Sequence, residues 1–272
     1  MSKKLKKSIS VITPILNGAE FLEYCIQSVI NQGYDNVEHI FVDGGSVDGT
    51  IDILNKYELK YPRRIKIIIA NGSTGGEAWN IGLETACGDV IGWLGSDDIY
   101  VKDACAIVSK FFNDKAECFF LYGRCDLIDS NGKLLKKMPL ENFSYDNLLN
   151  KYNIVPMPSS FFRKEVLDTV GKLDTYGNDL DYIIRIAKQY KFFSKDKVFS
   201  NFRVHNTSET GNLKKYIQVC KKDIIVSRNH GGRYWSGYRI SFYNALAKYY
   251  FPKFVYNSIN YFYKVMYYKH IK

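Results

Sequence analysis

Short apolar segments rich in β-branched residues alternate with longer segments of helical periodicity over the first 125 residues. The apolar segments predict strands at Ile9–Thr13, His39–Asp43, Lys66–Ala70, Val90–Leu94 and Phe119–Tyr122. Between them, apolar residues recur every three or four positions and predict helices over Glu20–Asn31, Thr50–Tyr61 and Ala78–Cys87. Strands that alternate with helices are typical of an α/β fold, here with a mixed, mainly parallel sheet flanked by helices.

The alternation ends near residue 126. An Asn-Gly pair predicts a hairpin tip within residues 126–132, and residues 133–160 hold three prolines and predict a less regular segment. A strand around Ser160–Arg163 and a helix over Asp181–Tyr190 follow. We therefore expect a main domain over residues 1–212 and a helical C-terminal extension over residues 213–272.

The net charge of +10 is carried by the two ends of the chain. Residues 1–7 hold four lysines and no acid, and residues 213–272 hold twelve Lys or Arg against the single Asp223. Acids therefore outnumber bases in the rest of the chain. This distribution argues against a nucleic-acid groove in the main domain.

The extension is also rich in aromatic residues, which interleave with lysines and predict two short helices separated by Pro252. Apolar residues of the second helix recur at spacings of four, three and four, at Val255, Ile259, Phe262 and Met266. Three interpretations stay open: a helical hairpin packed on the main domain, a peripheral membrane surface, and a nucleic-acid-binding tail. Of the three, nucleic acid is the least expected partner.

Several classes of protein are excluded by what the chain lacks. No apolar run reaches the length of a membrane span and no cleavage site follows the basic N-terminus, so we expect a cytoplasmic protein. The six cysteines form no C-x-x-C pair, which argues against a disulfide framework or a zinc site. The phosphate-binding motifs of dinucleotide dehydrogenases and P-loop kinases are also missing.

Polar residues follow three of the predicted strands, in the segments Thr13–Asn17, Asp43–Thr50 and Gly95–Asp98. Ligands of open α/β sheets bind at the carboxyl ends of the strands, so these loops should converge on one site. Gly44 and Gly45 let the backbone approach a ligand, and Asp48 is expected to cap the helix that begins at Thr50.

Two further groups suggest chemistry. Adjacent acids Asp97 and Asp98 repel each other, and a Mg²⁺ or Mn²⁺ ion bridged to a diphosphate would hold them together; a solvated turn is the alternative. Asp179 and Asp181, in the segment Asn178–Asp181, precede or begin a helix, where either acid could take a proton or simply cap the helix. His205 is either a structural residue or a ligand.

These segments resemble glycosyltransferase family 2, whose members have the GT-A fold. The resemblance runs from about Ile9 to about Ser208 through four segments, which are TPILNGAEFLEYCIQSVINQGYDNVEHIFVDGGSVDGTIDIL, EAWNIGLETACGDVIGWLGSDDIY, FLYGRCDLIDSNGKLL and PSSFFRKEVLDTVGKLDTYGNDLDYIIRIAK. It implies an inverting transferase that moves a hexosyl or N-acetylhexosaminyl group from a nucleotide-sugar donor to a glycan or lipid-linked acceptor in surface polysaccharide biosynthesis. The inner face of the cell membrane is then the expected place of action.

The resemblance also assigns roles to residues. It implies metal binding by Asp98 and Asp97, with His205 as a further metal or phosphate ligand, and it implies that Asp179 is the catalytic base with Asp181 as its nearest rival. The residues it places around the nucleotide sugar are Thr13, Pro14, Asn17, Asp43, Gly44, Ser46, Glu77, Asp97 and Arg203. Asn80 is expected to be structural.

Three departures from the family pattern limit what the resemblance implies about the donor. Gly44 and Leu16 stand where many relatives have an acid and an aromatic residue that contact the base, so specificity for uridine does not follow. Gly95 replaces the first acid of the fuller D-x-D-D motif. Two rival functions also remain open, a non-catalytic sugar-nucleotide binder and a nucleic-acid binder that acts through the basic tail.

Overall fold

The computed structural model describes residues 6–174, 179–208, 211–234 and 236–250. Its strands are β1 Ile9–Ile15, β2 Val37–Asp43, β3 Ile65–Ile69, β4 Val90–Trp93, β5 Ile99–Tyr100, β6 Phe120–Ile128, β7 Leu134–Lys136, β8 Ser160–Arg163 and β9 Phe192–Arg203. Its helices are α1 Ala19–Ile30, α2 Thr50–Lys60, α3 Gly75–Thr85, α4 Ala104–Asp114, α5 Tyr145–Asn150, α6 Val166–Val170, α7 Asp179–Gln189, α8 Leu213–Asn229 and α9 Gly237–Tyr250.

The strands form a single sheet in the order β3-β2-β1-β4-β8-β6-β9-β5, and β7 pairs with β6. Strands β3, β2, β1 and β4 are parallel, so their carboxyl ends lie at one edge of the sheet. Beyond β4 the sheet is mixed: β8 is antiparallel to both β4 and β6, whereas β6 and β9 are parallel. The predicted α/β class with a mixed sheet is confirmed.

The sequence patterns missed strand β9 and helix α4. Strand β9 carries Lys195, Asp196 and Lys197 in its middle, which interrupts any apolar alternation, and pairing with β6 and β5 holds it in the sheet. Helix α4 buries a stripe at helical spacing, which includes Cys105, Val108 and Phe112, so its periodicity could have located it.

Trp93, the last residue of β4, organises the part of the core that lies closest to the predicted site. Its buried ring contacts the rings of Trp79 on α3 and Tyr182 on α7, at centroid distances of 5.3 and 5.8 Å, and its Nε1 donates to Ser160. Because Trp93 directly precedes the segment Leu94–Asp98, this packing brings α3 and α7 to the strand end that carries the two adjacent acids.

The described residues form two compact units. One comprises those up to Phe143 together with Ile154–Arg203, and the other comprises Ser144–Asn153 and the residues from Val204 onward. In the second unit, Ser227 and Tyr238 donate to the carbonyls of Leu149 and Leu148 in α5. The segment Ser144–Asn153 therefore folds with the C-terminal helices, while the domain division at residue 212 stays a prediction.

The first predicted helix of the extension corresponds to α9, and the second, after Pro252, lies outside the described residues. Within the described ranges, no helix combines the length and apolarity needed to cross a bilayer.

Candidate active site

The loop after β1 and the loop after β2 are joined by hydrogen bonds in both directions. The Asn17 backbone N–H donates to Ser46 Oγ at 2.7 Å, and the Val47 N–H donates to Asn17 Oδ1 at 2.9 Å. Asn17 adopts a left-handed backbone with φ of 52°, which its short polar side chain tolerates. Two of the three predicted polar loops therefore lie side by side at the carboxyl edge of the sheet.

The carboxylate of Asp43 fixes the conformation of the loop after β2. Its buried carboxylate accepts the N–H groups of Gly45 and Ser46, both at 2.8 Å, and the Ser46 hydroxyl at 2.5 Å. The Gly44 backbone N–H donates to the Ile15 carbonyl and joins this loop to the end of β1. In this conformation Asp43 shapes the loop, and its predicted contact with the donor stays a prediction.

The predicted cap of helix α2 is wrong by one residue. Gly49, with φ of 93°, occupies the N-cap position, because a left-handed backbone there favours glycine. Asp48 still contributes, since its carboxylate accepts the N–H and the hydroxyl of Thr50 and the N–H of Ala19.

Thr13 lies in the core, with no exposed surface, while its neighbour Pro14 is half-buried. Its hydroxyl donates to the Leu94 carbonyl at 2.8 Å, so its only proton is used there. The contact of 2.9 Å between Thr13 Oγ1 and His39 Nε2 then requires the imidazole to donate from Nε2. Burial lowers the pKa of His39 to about 3, so the ring is neutral, and Thr13 links β1, β2 and β4 beneath the loops.

The third loop brings the two adjacent acids together above Gly95. A β-carbon placed on Gly95 would lie 2.7 Å from Asp97 Oδ1 and 2.9 Å from Asp98 Oδ2, so both carboxylates point into one small space. A side chain at position 95 would therefore require these two carboxylates to move. Burial and the neighbouring Asp97 charge raise the pKa of Asp98 well above its usual range.

This arrangement fits a hard divalent cation. Mg²⁺ and Mn²⁺ are commonly held by one or two carboxylates, with phosphate oxygens and water completing the shell. In the parts of the chain that are described, no group of three or more His, Cys, Asp or Glu residues surrounds such a site. Asp97 and Asp98 are the side chains at this place that would hold such an ion.

Arg203 fixes the acidic loop from the end of β9. Its backbone N–H donates to Asp98 Oδ1 at 2.9 Å, and its Nε donates to the Asp97 carbonyl at 2.8 Å. Its Nη1 donates to the carbonyls of Asp129 and Ser130 in the turn between β6 and β7. The side chain is 2% exposed and lies 4.8 Å from the Phe21 ring centroid, so its visible role is to brace the loop. Its predicted contact with the donor stays a prediction.

The two acids of helix α7 differ in their contacts. Asp181 forms an ion pair of 2.7 Å with Arg185, whose guanidinium also donates to the carbonyls of Val170 and Lys172. Asp179 Oδ1 accepts the N–H of Leu180 at the first turn. Through this ion pair Asp181 positions Arg185, which joins α7 to the preceding segment. The choice between Asp179 and Asp181 as the catalytic base stays a prediction. Asn178 lies outside the described residues.

Helix α3 contains two other predicted residues. Glu77 completes a capping box by accepting the N–H and hydroxyl of Thr74, and these hydrogen bonds lower its pKa. Asn80 exchanges two hydrogen bonds with the backbone of Leu173, which confirms its expected structural role. The role of Glu77 at the sugar stays a prediction.

His205 belongs to the second compact unit, where its Nδ1 lies 2.8 Å from the Thr207 hydroxyl. Its assignment as a metal ligand stays a prediction.

Sequence reasoning missed the loop after β3. Asn71 and Ser73 line a pocket of about 590 Å³ together with Glu77. Gly72 donates to the Gly44 carbonyl at 2.9 Å, so this loop adjoins the second one. The signal was available, because this loop also follows the carboxyl end of a parallel strand.

Comparison with known proteins agrees with this geometry. The family model described as "Glycosyl transferase family 2" matches residues 10–171. TuaG of Bacillus subtilis, whose name places it in teichuronic acid biosynthesis, is 28% identical over 228 residues, which cover 82% of this chain and 88% of that protein. GgaA of the same organism, a minor teichoic acid biosynthesis protein, is 38% identical over 110 residues, 39% of this chain and 25% of that protein.

Two solved structures share the fold. Staphylococcus aureus TarS in complex with UDP-GlcNAc has a TM-score of 0.62 at 16% identity, covering 89% of this chain and 73% of that one. The mannosyltransferase PcManGT of Pyrobaculum calidifontis, in complex with GDP-Man and Mn²⁺, has a TM-score of 0.63 at 17% identity, covering 93% and 79%. The family match spans more than half of the chain and includes the loops described above, so this protein belongs to glycosyltransferase family 2.

Proposed function

We propose that this protein is an inverting, metal-dependent glycosyltransferase that uses a nucleoside-diphosphate sugar. The observation that carries the proposal is the convergence of Asp97 Oδ1 and Asp98 Oδ2 on one space at the carboxyl edge of the sheet. The Asn17 and Ser46 loops adjoin the same edge, where the nucleotide would lie. A bound Mg²⁺ or Mn²⁺ would neutralise charge on the departing diphosphate.

In this proposal, residues of the chain act as the catalytic base and position the reacting groups. Asp179 takes the proton of the acceptor hydroxyl, whose oxygen attacks the anomeric carbon as the bond to the diphosphate breaks. Asp181 and Arg185 hold the helix that carries Asp179, and the contact of Tyr182 with Trp93 ties that helix to β4. Arg203 keeps the Asp97 carbonyl and the Asp98 carboxylate in position.

Names of similar proteins support the substrate classes. Solved neighbours contain UDP-GlcNAc or GDP-Man, which supports a nucleotide-sugar donor and a hexosyl or N-acetylhexosaminyl group. TuaG and GgaA are named for cell-wall polymer synthesis, which supports a glycan or lipid-linked acceptor in surface polysaccharide biosynthesis. The basic residues 213–272 would then make peripheral contact with the cytoplasmic face of the membrane.

The donor can be identified by thermal shift with UDP-, GDP-, dTDP- and CDP-sugars in the presence of Mn²⁺. We expect one nucleotide class to raise the melting temperature, and no response to any of them would contradict the proposal. Asp98→Asn should abolish the Mn²⁺-dependent part of that rise. Without metal, the same variant should be at least as stable as wild type, because it removes a buried acid whose charged form is disfavoured.

The catalytic base is tested with Asp179→Asn. This variant should bind donor normally and transfer sugar about 10²- to 10⁴-fold more slowly, the contribution typical of a general base. Asp181→Asn is the matched control, since it removes the partner of Arg185 and should lower stability more than it lowers transfer. Wild-type turnover by folded Asp179→Asn would reject the assignment.

A further inference from the structure

The hairpin between β6 and β7 exposes an unusual surface. Residues 131–137 are all exposed, and they include two leucines, Leu134 at 46% and Leu135 at 55% exposure. Three lysines flank the leucines, at Lys133, Lys136 and Lys137. We call Lys133–Lys137 the hairpin patch.

The hairpin patch is cationic within an otherwise acidic part of the chain. No acid occurs between Ser130 and Leu140, and among the described residues no carboxylate forms an ion pair with its three lysines. Asp129, the nearest acid before it, accepts backbone N–H groups of Asn131 and Lys133 instead. Three positive charges therefore face solvent together.

The turn of this hairpin is attached to the candidate active site. Arg203 donates to the carbonyls of Asp129 and Ser130 and, through its Nε, to the carbonyl of Asp97. One buried side chain thus spans from the turn to the acidic loop. A surface that binds the hairpin patch would lie beside the place where the acceptor meets the donor.

Edge strands often carry lysines, which prevent pairing with other chains. That explanation covers the lysines in and beside β7 but not its leucines, which add exposed apolar area to the same edge. Apolar side chains bordered by lysines match the interface of a bilayer, where the apolar groups leave water and the lysines meet anionic headgroups.

We propose that the hairpin patch docks on an anionic lipid surface, with Leu134 and Leu135 inserted and the three lysines at the phosphate level. This docking is separate from the contact proposed for residues 213–272. It rests on the proposed function in one respect, since docking on a membrane assists transfer only when the acceptor is lipid-linked. A membrane-seated hairpin would hold the acidic loop at the depth where such an acceptor is presented.

The test uses the full chain and vesicles of phosphatidylcholine with or without about 30% phosphatidylglycerol, a content that supplies the anionic surface. Two variants of the hairpin patch are compared with wild type: the double variant Leu134→Ser/Leu135→Ser and the triple variant Lys133→Gln/Lys136→Gln/Lys137→Gln. We expect the lysine variant to weaken partition onto anionic vesicles by about a hundredfold, because each lysine near the surface contributes about fivefold. The leucine variant should weaken it by at least about tenfold, because two apolar side chains no longer leave water. Their matched controls are Leu59→Ser, which alters a leucine that is 84% exposed, and Lys60→Gln/Lys102→Gln/Lys110→Gln, which changes net charge equally. These controls should bind as wild type does.

A direct measurement removes any masking by the C-terminal extension. Tryptophan introduced as Leu135→Trp should be quenched by brominated lipid, whereas tryptophan introduced as Leu59→Trp should not. Equal quenching of the two variants would overturn the proposal. So would loss of binding in the lysine variant alone combined with competition by inorganic polyphosphate, which would identify a site for soluble polyanions.

The two proposals fail in distinguishable ways. Vesicle binding of the hairpin patch is measured without any donor, and the nucleotide thermal shift is measured without any lipid. A protein that binds vesicles through Leu135 but no nucleotide would overturn the proposed function and leave the docking surface standing.

Discussion

At the residue scale, polar side chains at the strand ends act mainly on one another. Thr13, Asp43 and Arg203 all lie in the site that their sequence context predicts, yet each is buried and bonded to neighbouring backbone or loop groups. Their hydrogen bonds fix the shape of the loops, because a buried polar group without a partner would cost more than the bond contributes. Exposed atoms of the same loops are left to meet the donor.

Thr13→Val tests this structural role. The substitution keeps the shape of the side chain but leaves the Leu94 carbonyl and His39 Nε2 without their shared partner. We expect a loss of about 1–3 kcal/mol in the free energy of unfolding, the cost of unsatisfied buried groups. Urea denaturation measures it, and Thr13→Ser, which keeps the hydroxyl, is the control. Unchanged stability with weakened donor binding would instead favour a direct contact with the nucleotide.

His39 should make stability depend on pH. The folded protein keeps this ring neutral down to about pH 3, whereas the unfolded chain takes up a proton near pH 6.5. Its contribution is therefore fully present above pH 6.5 and is lost as the pH falls toward 3, by up to about 1.4 kcal/mol per pH unit. Denaturant midpoints at several pH values should show a shallower loss for His39→Gln than for wild type. Parallel curves would contradict the neutral buried imidazole.

At the element scale, helix ends and single side chains place the acidic residues. The capping box at Thr74 begins α3, Asn80 ties that helix to Leu173, and Arg185 ties α7 to the segment before it. Apart from the capping box, each of these links joins residues from different segments of the chain. They explain how α3 and α7 reach the same strand end despite about 90 intervening residues.

The capping box is tested by comparing Thr74→Ala with Glu77→Gln. Loss of the Thr74 hydroxyl should cost about 1 kcal/mol of stability, as is typical of an N-cap. Glutamine at position 77 can still accept the Thr74 N–H but lacks the charge that these hydrogen bonds favour, so it should lose less stability than Thr74→Ala does. If Glu77→Gln stays folded but transfers sugar more slowly than Thr74→Ala does, Glu77 also contacts the sugar.

At the scale of the whole molecule, a segment from the middle of the chain belongs to the C-terminal unit. Helix α5 is held by residues beyond Val204. The Tyr238 hydroxyl donates to the Leu148 carbonyl, and the Arg233 backbone N–H donates to Asn150 Oδ1. Residues 213–272 therefore cannot be removed without leaving α5 unsupported.

Truncation after residue 212 should expose Leu148 and Leu149, which are buried in the intact chain. We expect faster proteolysis and faster hydrogen exchange within residues 144–153 than in the full-length protein, because the acceptors and apolar contacts of α5 lose their partners. Exchange in β1 and β2 is the internal control and should change less. Unchanged protection of residues 144–153 would show that α5 is stable alone.

Much of the fold could be predicted because the strands and helices of the parallel half of the sheet show regular local patterns of apolar residues. Strands β1, β2 and β4 are mostly buried, β3 is rich in isoleucine, and helices α1 to α3 show regular apolar spacing. The apolar pattern did not predict strand β9, because pairing with neighbouring strands holds it in the sheet. The candidate acids were found through their motif, but the bracing role of Arg203 was not, since its partners come from two other parts of the chain.

The sequence alone determined the α/β class and the family, and it predicted site roles for Asp43, Asp97, Asp98 and Asp179, because strand periodicity and motif spacing are properties of contiguous residues. Tertiary structure decided which of these side chains are buried in their own loops, that the carboxylates of Asp97 and Asp98 point into one space, and that residues 144–153 fold with the C-terminal helices. These outcomes depend on hydrogen bonds and packing between residues up to about a hundred positions apart, and no local pattern encodes such contacts.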